Sequence, residues 1–411
     1  MTKLVVLGGS AVSTPQLAAA LFDAGLNDVQ LALVGRSAEK LRLVAAAARA
    51  AGRGAIEVSE HVEPEDALAG ASIVLSQVRV GGLGARAFDE QFSRDLGIPG
   101  EETVAPGGFS SAWRTLPVIA GLMRRVARAA PGVLVLNLTN PASMVHRVSE
   151  RAGLEVITLC DAPLVLARKL ALLIEADPAA VAPRYVGINH CGWITGLEVG
   201  GEERLGEVLA QPTAVAAVTG VDEHVTGALR AVPNPYLKFI YHPERQLALQ
   251  RAKTQARAEE LEELEREALS DYASGADPAA AAARRPAPWY SECVVPVIRA
   301  RRGERVQTIV DVTNHGLLPY LPARTTIELS AEIRDREVRP VPVDPLPAES
   351  VALLGQIASY DELAVEAILS GDRDGCVRAL SVHPLVRSAD VAAELVERIE
   401  REFGPLSRSE G

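Results

Sequence analysis

The sequence predicts an α/β protein in which a doubly wound parallel sheet is followed by an α+β lobe. Short apolar runs alternate with helical segments through the first 160 residues. The runs at residues 4–7 and 29–34 are continuously apolar, as strands covered on both faces are. The strand candidates at residues 185–188 and 193–199 then follow each other without a helix, so the alternation ends in the second half.

Each element has its own local signal, and together they divide the chain in two. Strands are predicted at residues 4–7, 29–34, 56–58, 73–78, 133–136, 185–188, 193–199, 293–298 and 307–312. Helices are predicted after Thr14-Pro15, after Ser37 (38–51), and at 114–129, 256–272 and within 361–380, with a mobile Ala/Pro-rich loop at 275–288. We therefore expect a Rossmann-type dinucleotide-binding domain at residues 1–160 and an α+β domain at 161–411.

Composition excludes several classes of protein. The net charge of −11 argues against nucleic acid as a partner, because phosphate binding needs clustered Lys and Arg. No apolar run approaches the ~20 residues of a membrane span, so no membrane partner is expected. Four cysteines in 411 residues do not form a disulfide framework. The expectation is a reduced, cytoplasmic protein.

The first strand ends in a glycine turn that is typical of a phosphate-binding loop. Gly8, Gly9 and Ser10 follow residues 4–7, and Thr14 opens the next helix. Backbone N–H groups in such a turn can approach a dinucleotide pyrophosphate. The pattern departs from Gly-x-Gly-x-x-Gly, and a plain tight turn is the alternative.

The end of the second strand bears on which dinucleotide binds. A carboxylate there usually accepts hydrogen bonds from the adenine ribose, which favours NAD. This chain has Val34-Gly35-Arg36-Ser37 instead. Arg36 could stack on the adenine or pair with a 2′-phosphate, or it could be an ordinary surface arginine. NAD is the expected cofactor, and NADP stays open.

Several ordered motifs contain more functional residue types than packing requires. They occupy residues 86–90, 100–103, 106–109, 137–141, 160–163 and 189–193, and continue at 233–238, 257–260, 289–292, 314–319, 360–363 and 371–373. In this order they resemble glycoside hydrolase family 4, the NAD- and metal-dependent glycosidases that do not use the two-carboxylate mechanism. The segments at 236 and 289–292 resemble the 6-phospho-glucosidase branch most.

The resemblance implies a redox-neutral mechanism. The cofactor takes hydride from the sugar C-3, a base removes the C-2 proton, the glycosidic oxygen leaves by elimination, water adds, and the hydride returns. A divalent metal, usually Mn²⁺, stabilises the charge that develops. The substrate implied is a phosphorylated sugar glycoside, and the assembly implied is a homodimer or homotetramer. The resemblance also implies that residues 161–411 bind substrate and metal, in an architecture like that of lactate and malate dehydrogenases.

The resemblance also assigns roles to individual residues. Cys160 and His190 would bind the metal, with Cys191 as a rival that strand alternation points away from His190. Tyr236 would be the C-2 base, with Tyr241 as the second candidate. Without the family, each of these residues could equally be part of a packed core.

The predicted substrate residues are Arg86, Asn140, Asn189 and Arg257, since arginine and amide groups suit a phosphate and sugar hydroxyls. Asp161 is predicted to protonate the leaving oxygen, and in the resemblance an Asp at this position favours α-glycosides, whereas the branch as a whole favours β. Glu101 stands where a glutamine is usual. The alternatives are an NAD(P)-dependent sugar or hydroxyacid dehydrogenase with net cofactor turnover, and a non-catalytic dinucleotide sensor.

Overall fold

The computed structural model describes residues 2–253 and 257–406. Its strands are β1 (Thr2–Leu7), β2 (Val29–Val34), β3 (Glu57–His61), β4 (Ile73–Ser76), β5 (Leu134–Asn137), β6 (Glu155–Thr158), β7 (Val181–Ile188), β8 (Cys191–Val199), β9 (Glu202–Glu203), β10 (Val232–Pro233), β11 (Val306–Thr313), β12 (Thr326–Arg334) and β13 (Glu337–Pro340).

The helices cover both faces of the sheet formed by these strands. They are α1 (Thr14–Asp23), α2 (Ala38–Ala51), α3 (Pro64–Leu68), α4 (Gly82–Asp89), α5 (Pro106–Ala129), α6 (Ala142–Arg151), α7 (Ala162–Leu173), α8 (Leu205–Leu209), α9 (Pro212–Thr219), α10 (Glu223–Leu229), α11 (Lys238–Tyr241), α12 (Pro243–Arg251), α13 (Arg257–Ser274), α14 (Pro278–Arg284), α15 (Val295–Ala300), α16 (Ala348–Ser370), α17 (Arg373–Val382) and α18 (Ala389–Phe403). Short 3₁₀ turns lie at Arg94–Leu96, Pro178–Ala180 and Pro235–Leu237, and a π-helical turn at Tyr290–Val294.

One twisted sheet runs through the molecule. Its first part is parallel, with strand order β3-β2-β1-β4-β5-β6, which is the doubly wound order of dinucleotide-binding folds. Beyond β6 the sheet continues as β11-β12-β7-β8-β10, and these strands pair antiparallel. The predicted fold class, a doubly wound parallel sheet followed by an α+β part, is confirmed.

The central strands form because their sequences are apolar on both faces. Residues 4–7 of β1 and the whole of β4 and β5 are buried, as the continuous apolar runs predict. The Ser37 cap of α2 is confirmed, since its hydroxyl accepts the backbone N–H of Lys40 at 3.3 Å. The start of α1 is one residue earlier than a cap at Thr14 predicts, because Ser13 occupies the N-cap position and Thr14 is the first helical residue.

Two element predictions are wrong. Residues 293–298 form the end of the π-helical turn and the start of α15, because Pro296 suits a first helical turn and cannot donate to a sheet. The stretch 275–288 is not wholly a loop: it contains α14, which Asp277 caps by accepting the N–H of Ala279. An alanine run after an Asp-Pro pair is a strong helix signal that the expected loop overlooked.

Other boundaries shift without changing the type of element. The helix expected at 114–129 begins at Pro106, and the strands expected at 185–188 and 193–199 begin four and two residues earlier. The charged helix is Arg257–Ser274, and Ala256, the first residue predicted for it, lies outside the described residues.

Two large apolar cores lie on opposite faces of the sheet. One contains Leu4, Leu31 and Leu136 from the parallel strands together with Val294 and Ile327 from the second half. The other joins β1, β4 and β5 to α5 and to the last three helices, α16–α18. The C-terminal helices thus pack on the first half of the chain, and the division at residue 160 stays a prediction.

Among the described residues, no helix combines the length and the apolar character that a bilayer crossing needs.

Candidate active site

A cleft of about 1810 Å³ opens at the carboxyl ends of the parallel strands, where open α/β sheets bind ligands. It extends from the turn after β1, past the ends of β2, β4, β5 and β6, to the hairpin turn between β7 and β8. The predicted site residues that line it are Gly8, Ser10, Arg36, Arg86, Asn140, Cys160, Asp161, Asn189, His190 and Tyr236. Gly9, Thr14 and Arg257 are not among the lining residues.

The glycine turn works differently from the expectation. The N–H groups of Gly8 and Gly9 both donate to the carbonyl of Val34, at 3.1 and 2.8 Å, so they are not free to bind a phosphate. Both glycines are required by close packing instead. A Cβ on Gly8, where φ is +83°, would lie 2.7 Å from the Gln77 carbonyl oxygen, and one on Gly9 would lie 2.8 Å from Leu33 Cβ.

The donors that remain free lie one turn further along. Among the described residues, the N–H groups of Ser10, Val12 and Ser13 have no hydrogen-bond partner, and all three residues line the cleft. Thr14 sits behind them, where its hydroxyl accepts from Gln77 Nε2 at 3.0 Å. Gly8, Gly9 and Thr14 thus shape the turn, and the N–H groups of residues 10, 12 and 13 are the ones free to donate to an anion; that this turn binds the cofactor stays a prediction.

The predicted metal ligands lie together on the far side of the cleft. Cys160, at the end of β6, places its Sγ 3.5 Å from Nε2 of His190, in the turn between β7 and β8. Protein M–S and M–N bonds of about 2.3 and 2.1 Å add up to more than this separation, so one ion can reach both atoms. The described residues contain no group of three or more His, Cys, Asp or Glu side chains arranged for an ion, which leaves the remaining positions to water or substrate.

The protonation states of Cys160 and His190 are compatible with binding a metal cation. Burial lowers the pKa of His190 to about 3, so its imidazole is neutral at pH 7. Burial, with the charges of Glu328 and Asp161 beside it, raises the pKa of the Cys160 thiol well above its ordinary value. A bound cation would favour the thiolate, so metal binding at this pair would release a proton.

A hydrogen-bonded chain orients the His190 ring. Its Nδ1 lies 2.9 Å from the Thr103 hydroxyl, and that hydroxyl donates to Glu101 Oε2 at 2.8 Å. With the hydroxyl proton directed at Glu101, the Thr103 oxygen accepts from Nδ1–H, which leaves the Nε2 lone pair facing Cys160. Gly107 and Gly108 permit this arrangement, because a Cβ on either would lie within 2.2 Å of the Glu101 or Thr103 carbonyl oxygen.

The turn that contains His190 is also held by hydrogen bonds to β12. His190 has φ of +64°, an uncommon conformation for a residue other than glycine. Glu328 of β12 accepts from Asn189 Nδ2 at 3.2 Å and from the backbone N–H of His190. Asp311 lies opposite Glu328 on β11, and burial raises the pKa of Glu328 to about 7. The Asn189 side chain is thus engaged by the protein as well as lining the cleft.

Tyr236 lies directly on the predicted metal ligand. Its ring stacks on the His190 ring with 3.8 Å between centroids and 11° between planes. Burial, together with the carboxylates of Glu101 and Glu102 and the Cys160 thiol, raises the pKa of Tyr236 above its ordinary value. Tyr241 does not line the cleft, so Tyr236 is the better placed of the two candidates.

Cys191 does not line the cleft, as predicted, but strand alternation is not the reason, because His190 lies in the turn before β8 begins. It lines a separate cavity of about 40 Å³ with Asp361 and His383. The thiol that approaches His190 Nε2 is that of Cys160.

Asp161 and Asn140 stand at the helix starts beside the pair. Asp161 occupies the N-cap position of α7, but its side chain makes no capping bond there. Burial raises the pKa of Asp161, as a general acid requires. Asn140 lines the cleft just before α6.

A group of arginines lies near this end of the cleft. Arg86 pairs with Glu90 and Glu102 at 2.7 and 2.8 Å, and Arg79 also pairs with Glu102 at 2.8 Å. Burial would lower the pKa of Arg86, but the two carboxylates raise it above its usual range. Arg257 is exposed at the start of α13 and pairs with Glu260 at 2.6 Å.

Arg285 is the functional candidate that sequence reasoning missed. It lines the cleft from the segment expected to be a mobile loop, and its guanidinium has no partner among the described residues. Burial, followed by the charges of Arg79 and Arg86, lowers its pKa. The Arg284-Arg285 pair within an Ala/Pro-rich stretch was the only sequence signal. The Thr103–His190 bond and the Glu328 contact had no signal, because they join residues far apart in the chain.

The strand order is that of Rossmann-type enzymes. The cleft has a turn with free N–H donors at one end and the thiol–imidazole pair of Cys160 and His190 at the other. Models of the family 4 glycosyl hydrolases match residues 3–176, and models of their C-terminal domain match residues 185–386. The chain belongs to this family, as the sequence motifs predict.

Individual relatives agree with this assignment. A probable 6-phospho-beta-glucosidase of Bacillus subtilis (strain 168) is 26% identical over 97% of this chain and 95% of its own length. In fold, the chain resembles the 6-phospho-beta glucosidase from Thermotoga maritima solved with manganese, NAD+ and glucose-6-phosphate, with TM-score 0.90, 23% identity and coverage of 99% and 100% of the two chains. A lactate dehydrogenase from a Medee basin deep-sea metagenome library aligns with TM-score 0.56 and 14% identity over 89% of this chain and 98% of its own. The predicted dehydrogenase-like architecture is confirmed.

Proposed function

We propose that this chain hydrolyses the glycosidic bond of 6-phosphoglucosides, with a nicotinamide dinucleotide at the glycine turn and Mn²⁺ at Cys160 and His190. The observation that carries the proposal is the approach of Cys160, His190 and Tyr236 within one cleft. A dehydrogenase with net cofactor turnover has no need of this thiol. The Thermotoga maritima relative that was solved with manganese, NAD+ and glucose-6-phosphate supports the same proposal.

The bound groups would supply two kinds of chemistry. A nicotinamide bound at the turn would supply hydride transfer, and a metal ion held by Cys160 and His190 would supply positive charge next to the sugar hydroxyls. That charge would also lower the pKa of Tyr236, which in the protein alone is surrounded by carboxylates.

Tyr236 is proposed to remove the C-2 proton. Its ring lies flat on the His190 ring, so its position relative to the metal ligands is fixed. His190 is in turn oriented by Thr103 and Glu101. The chain therefore presents the base and the metal ligands as one packed unit, as proton abstraction beside a cation requires.

Asp161 is proposed to give its proton to the leaving oxygen. Its carboxyl lines the cleft one residue after Cys160, and its raised pKa favours the protonated form. In the resemblance an Asp here accompanies α-glycosides, whereas the Bacillus subtilis and Thermotoga maritima relatives carry β names. We propose that both anomers be assayed, with Asp161 acting in the cleavage of whichever is accepted.

The sugar phosphate is proposed to bind among Arg86, Arg285 and Asn140, which line the cleft together with Asn189. Arg257, exposed at the start of α13 and outside the cleft lining, is proposed to reach the phosphate from there. Arg285 is the strongest of these candidates because its guanidinium has no protein partner within the described residues. Arg86 would give up part of its ion pair with Glu102 and bind the phosphate instead.

A cytoplasmic location and a homodimeric or homotetrameric assembly remain part of the proposal.

The test uses the chromogenic α- and β-glucoside 6-phosphates and their unphosphorylated forms under reducing conditions. The proposal expects aryl-alcohol release that needs both Mn²⁺ and dinucleotide, without NADH accumulation. Steady NADH accumulation without glycoside cleavage would show the dehydrogenase alternative instead. Cys160→Ser and Tyr236→Phe should each abolish release, and full activity in either would remove that residue from the mechanism.

A further inference from the structure

The end of β2 presents cationic and hydroxyl groups where a dinucleotide fold usually presents a carboxylate. β2 ends at Val34, and Gly35, Arg36 and Ser37 connect it to α2. In an NAD site, an acidic residue here accepts hydrogen bonds from the adenine ribose and repels a 2′-phosphate. This chain has no acidic residue between Val34 and the first turn of α2.

The contacts place this segment beside the glycine turn. A Cβ on Gly35 would lie 3.0 Å from both Cβ and Oγ of Ser10, so the end of β2 packs directly against the cofactor loop. Gly35, Arg36, Ser37 and Lys40 all line the cleft. The adenosine half of a dinucleotide held by the turn at residues 10–13 would reach this end of the cleft.

Arg36 is available to an anion, whereas Lys40 and Arg125, which line the same cleft, are already engaged. Its side chain is exposed and makes no ion pair or hydrogen bond with another described residue. By contrast, Lys40 pairs with Glu265 and Arg125 pairs with Glu63 and Glu65. These pairs also occupy two of the carboxylates, Glu63 and Glu265, that line the cleft.

Ser37 adds a hydrogen-bond donor. Its Oγ accepts the backbone N–H of Lys40 at 3.3 Å, which leaves the hydroxyl proton free to donate. A guanidinium next to a free hydroxyl matches a phosphate monoester, because arginine can donate two parallel hydrogen bonds.

We propose that Arg36 and Ser37 bind the 2′-phosphate of NADP, so that this chain binds NADP at least as tightly as NAD. The inference rests on the proposed function only in placing a nicotinamide dinucleotide in the cleft. It does not depend on which glycoside is cleaved.

Calorimetry with adenosine fragments tests the site without any turnover. The probes are 2′,5′-ADP, 3′,5′-ADP and 5′-AMP; the first two carry the same charge and differ only in phosphate position. We expect 2′,5′-ADP to bind at least tenfold more tightly than either of the others. Equal affinity for 2′,5′-ADP and 3′,5′-ADP would overturn the proposal, since it would indicate charge attraction without a 2′-phosphate site.

Whole dinucleotides and two matched variants complete the test. Arg36→Asp should lower the ratio of NADP to NAD affinity, measured by protein fluorescence quenching, at least 100-fold by replacing a donor with a carboxylate. Arg42→Asp makes the same charge change on α2 at an exposed position that does not line the cleft, and it should leave the ratio within twofold of the parent. An unchanged ratio in Arg36→Asp, or NAD binding more tightly than NADP in the parent protein, would overturn the proposal.

Failure of the proposed function is separate from failure of this inference. Tight 2′,5′-ADP binding with no cleavage of any glycoside would reject the glycosidase and keep the 2′-phosphate site. Cleavage supported by NAD, with NADP bound less tightly than NAD, would reject the 2′-phosphate site and keep the glycosidase.

Discussion

Replacing Thr103 with valine tests whether the Thr103 hydroxyl orients the imidazole of His190, the predicted metal ligand. The change keeps the shape of the side chain and removes its hydroxyl, which lies 2.9 Å from His190 Nδ1 and 2.8 Å from Glu101 Oε2. Without it, the buried Nδ1–H loses its acceptor and the ring loses the bond that keeps Nε2 directed at Cys160.

The magnitude follows from what such partners contribute elsewhere. Loss of the hydrogen-bond partner of a metal-ligating histidine typically weakens metal affinity about 10- to 100-fold. This corresponds to roughly 1.4 to 2.7 kcal/mol. Loss of the two hydrogen bonds of the hydroxyl costs about 1–2 kcal/mol each. This is less than the roughly 5–15 kcal/mol by which native proteins are stable, so the variant should still fold.

The assay is the electron paramagnetic resonance signal of free Mn²⁺, titrated with protein in the presence of glucose 6-phosphate. Thr219→Val is the matched control, because it removes a buried hydroxyl that donates to the Val215 carbonyl at 2.9 Å on α9, outside the cleft. The control should bind Mn²⁺ like the parent. Parental Mn²⁺ affinity in a folded Thr103→Val variant would refute the orienting role of the Thr103–His190 bond.

Three further predictions concern other residues. Arg285→Gln should raise KM for an aryl glucoside 6-phosphate about 10- to 100-fold with little change in kcat, because it removes a charged hydrogen-bond donor worth roughly 1.5–3 kcal/mol; steady-state kinetics with an unchanged KM would contradict this. Asp161→Asn should slow glycosides with poor leaving groups by about 10²- to 10⁴-fold and nitrophenyl glycosides much less, since only the former need protonation; equal slowing across a leaving-group series would count against Asp161 as the acid. Burial lowers the pKa of His146 to about 4 in the folded protein. As the pH falls below about 6.5, His146 is therefore protonated in the unfolded chain but not in the folded one, and the free energy of unfolding decreases. His146→Gln should therefore lose about 2 kcal/mol less than the parent between pH 7 and pH 5 in urea unfolding, and equal losses would contradict the low pKa.

The sequence predicted most of the parallel sheet because its signals are local. Continuous apolar runs specify β1, β2, β4 and β5, and Ser37 specifies the start of α2. The helix at Val295–Ala300 was mistaken for a strand because valine-rich runs favour both buried strands and buried helices, and tertiary packing decides between them. The identity of the metal pair came from the family motifs; spacing alone could not bring Cys160 to His190, since the contact depends on how β7 and β8 join the sheet.

The finer features of the site could not be predicted because they depend on atomic contacts. That Gly8 and Gly9 donate to Val34, and so cannot bind phosphate, follows from the backbone hydrogen bonds of the turn. That Arg285 has no partner follows from where the segment after α14 packs. The sequence shows that Glu101 stands where a glutamine is usual. It does not show that Glu101 is hydrogen-bonded through Thr103 to His190.

Tyr236 is proposed to remove a carbon-bound proton beside the Cys160–His190 pair. The most direct measurement is turnover of a chromogenic glucoside 6-phosphate in D₂O, followed by NMR of the glucose 6-phosphate formed. We expect deuterium at C-2 of the product, and no product from Tyr236→Phe. Product that keeps hydrogen at C-2 would contradict proton removal by Tyr236, because direct hydrolysis leaves that carbon untouched.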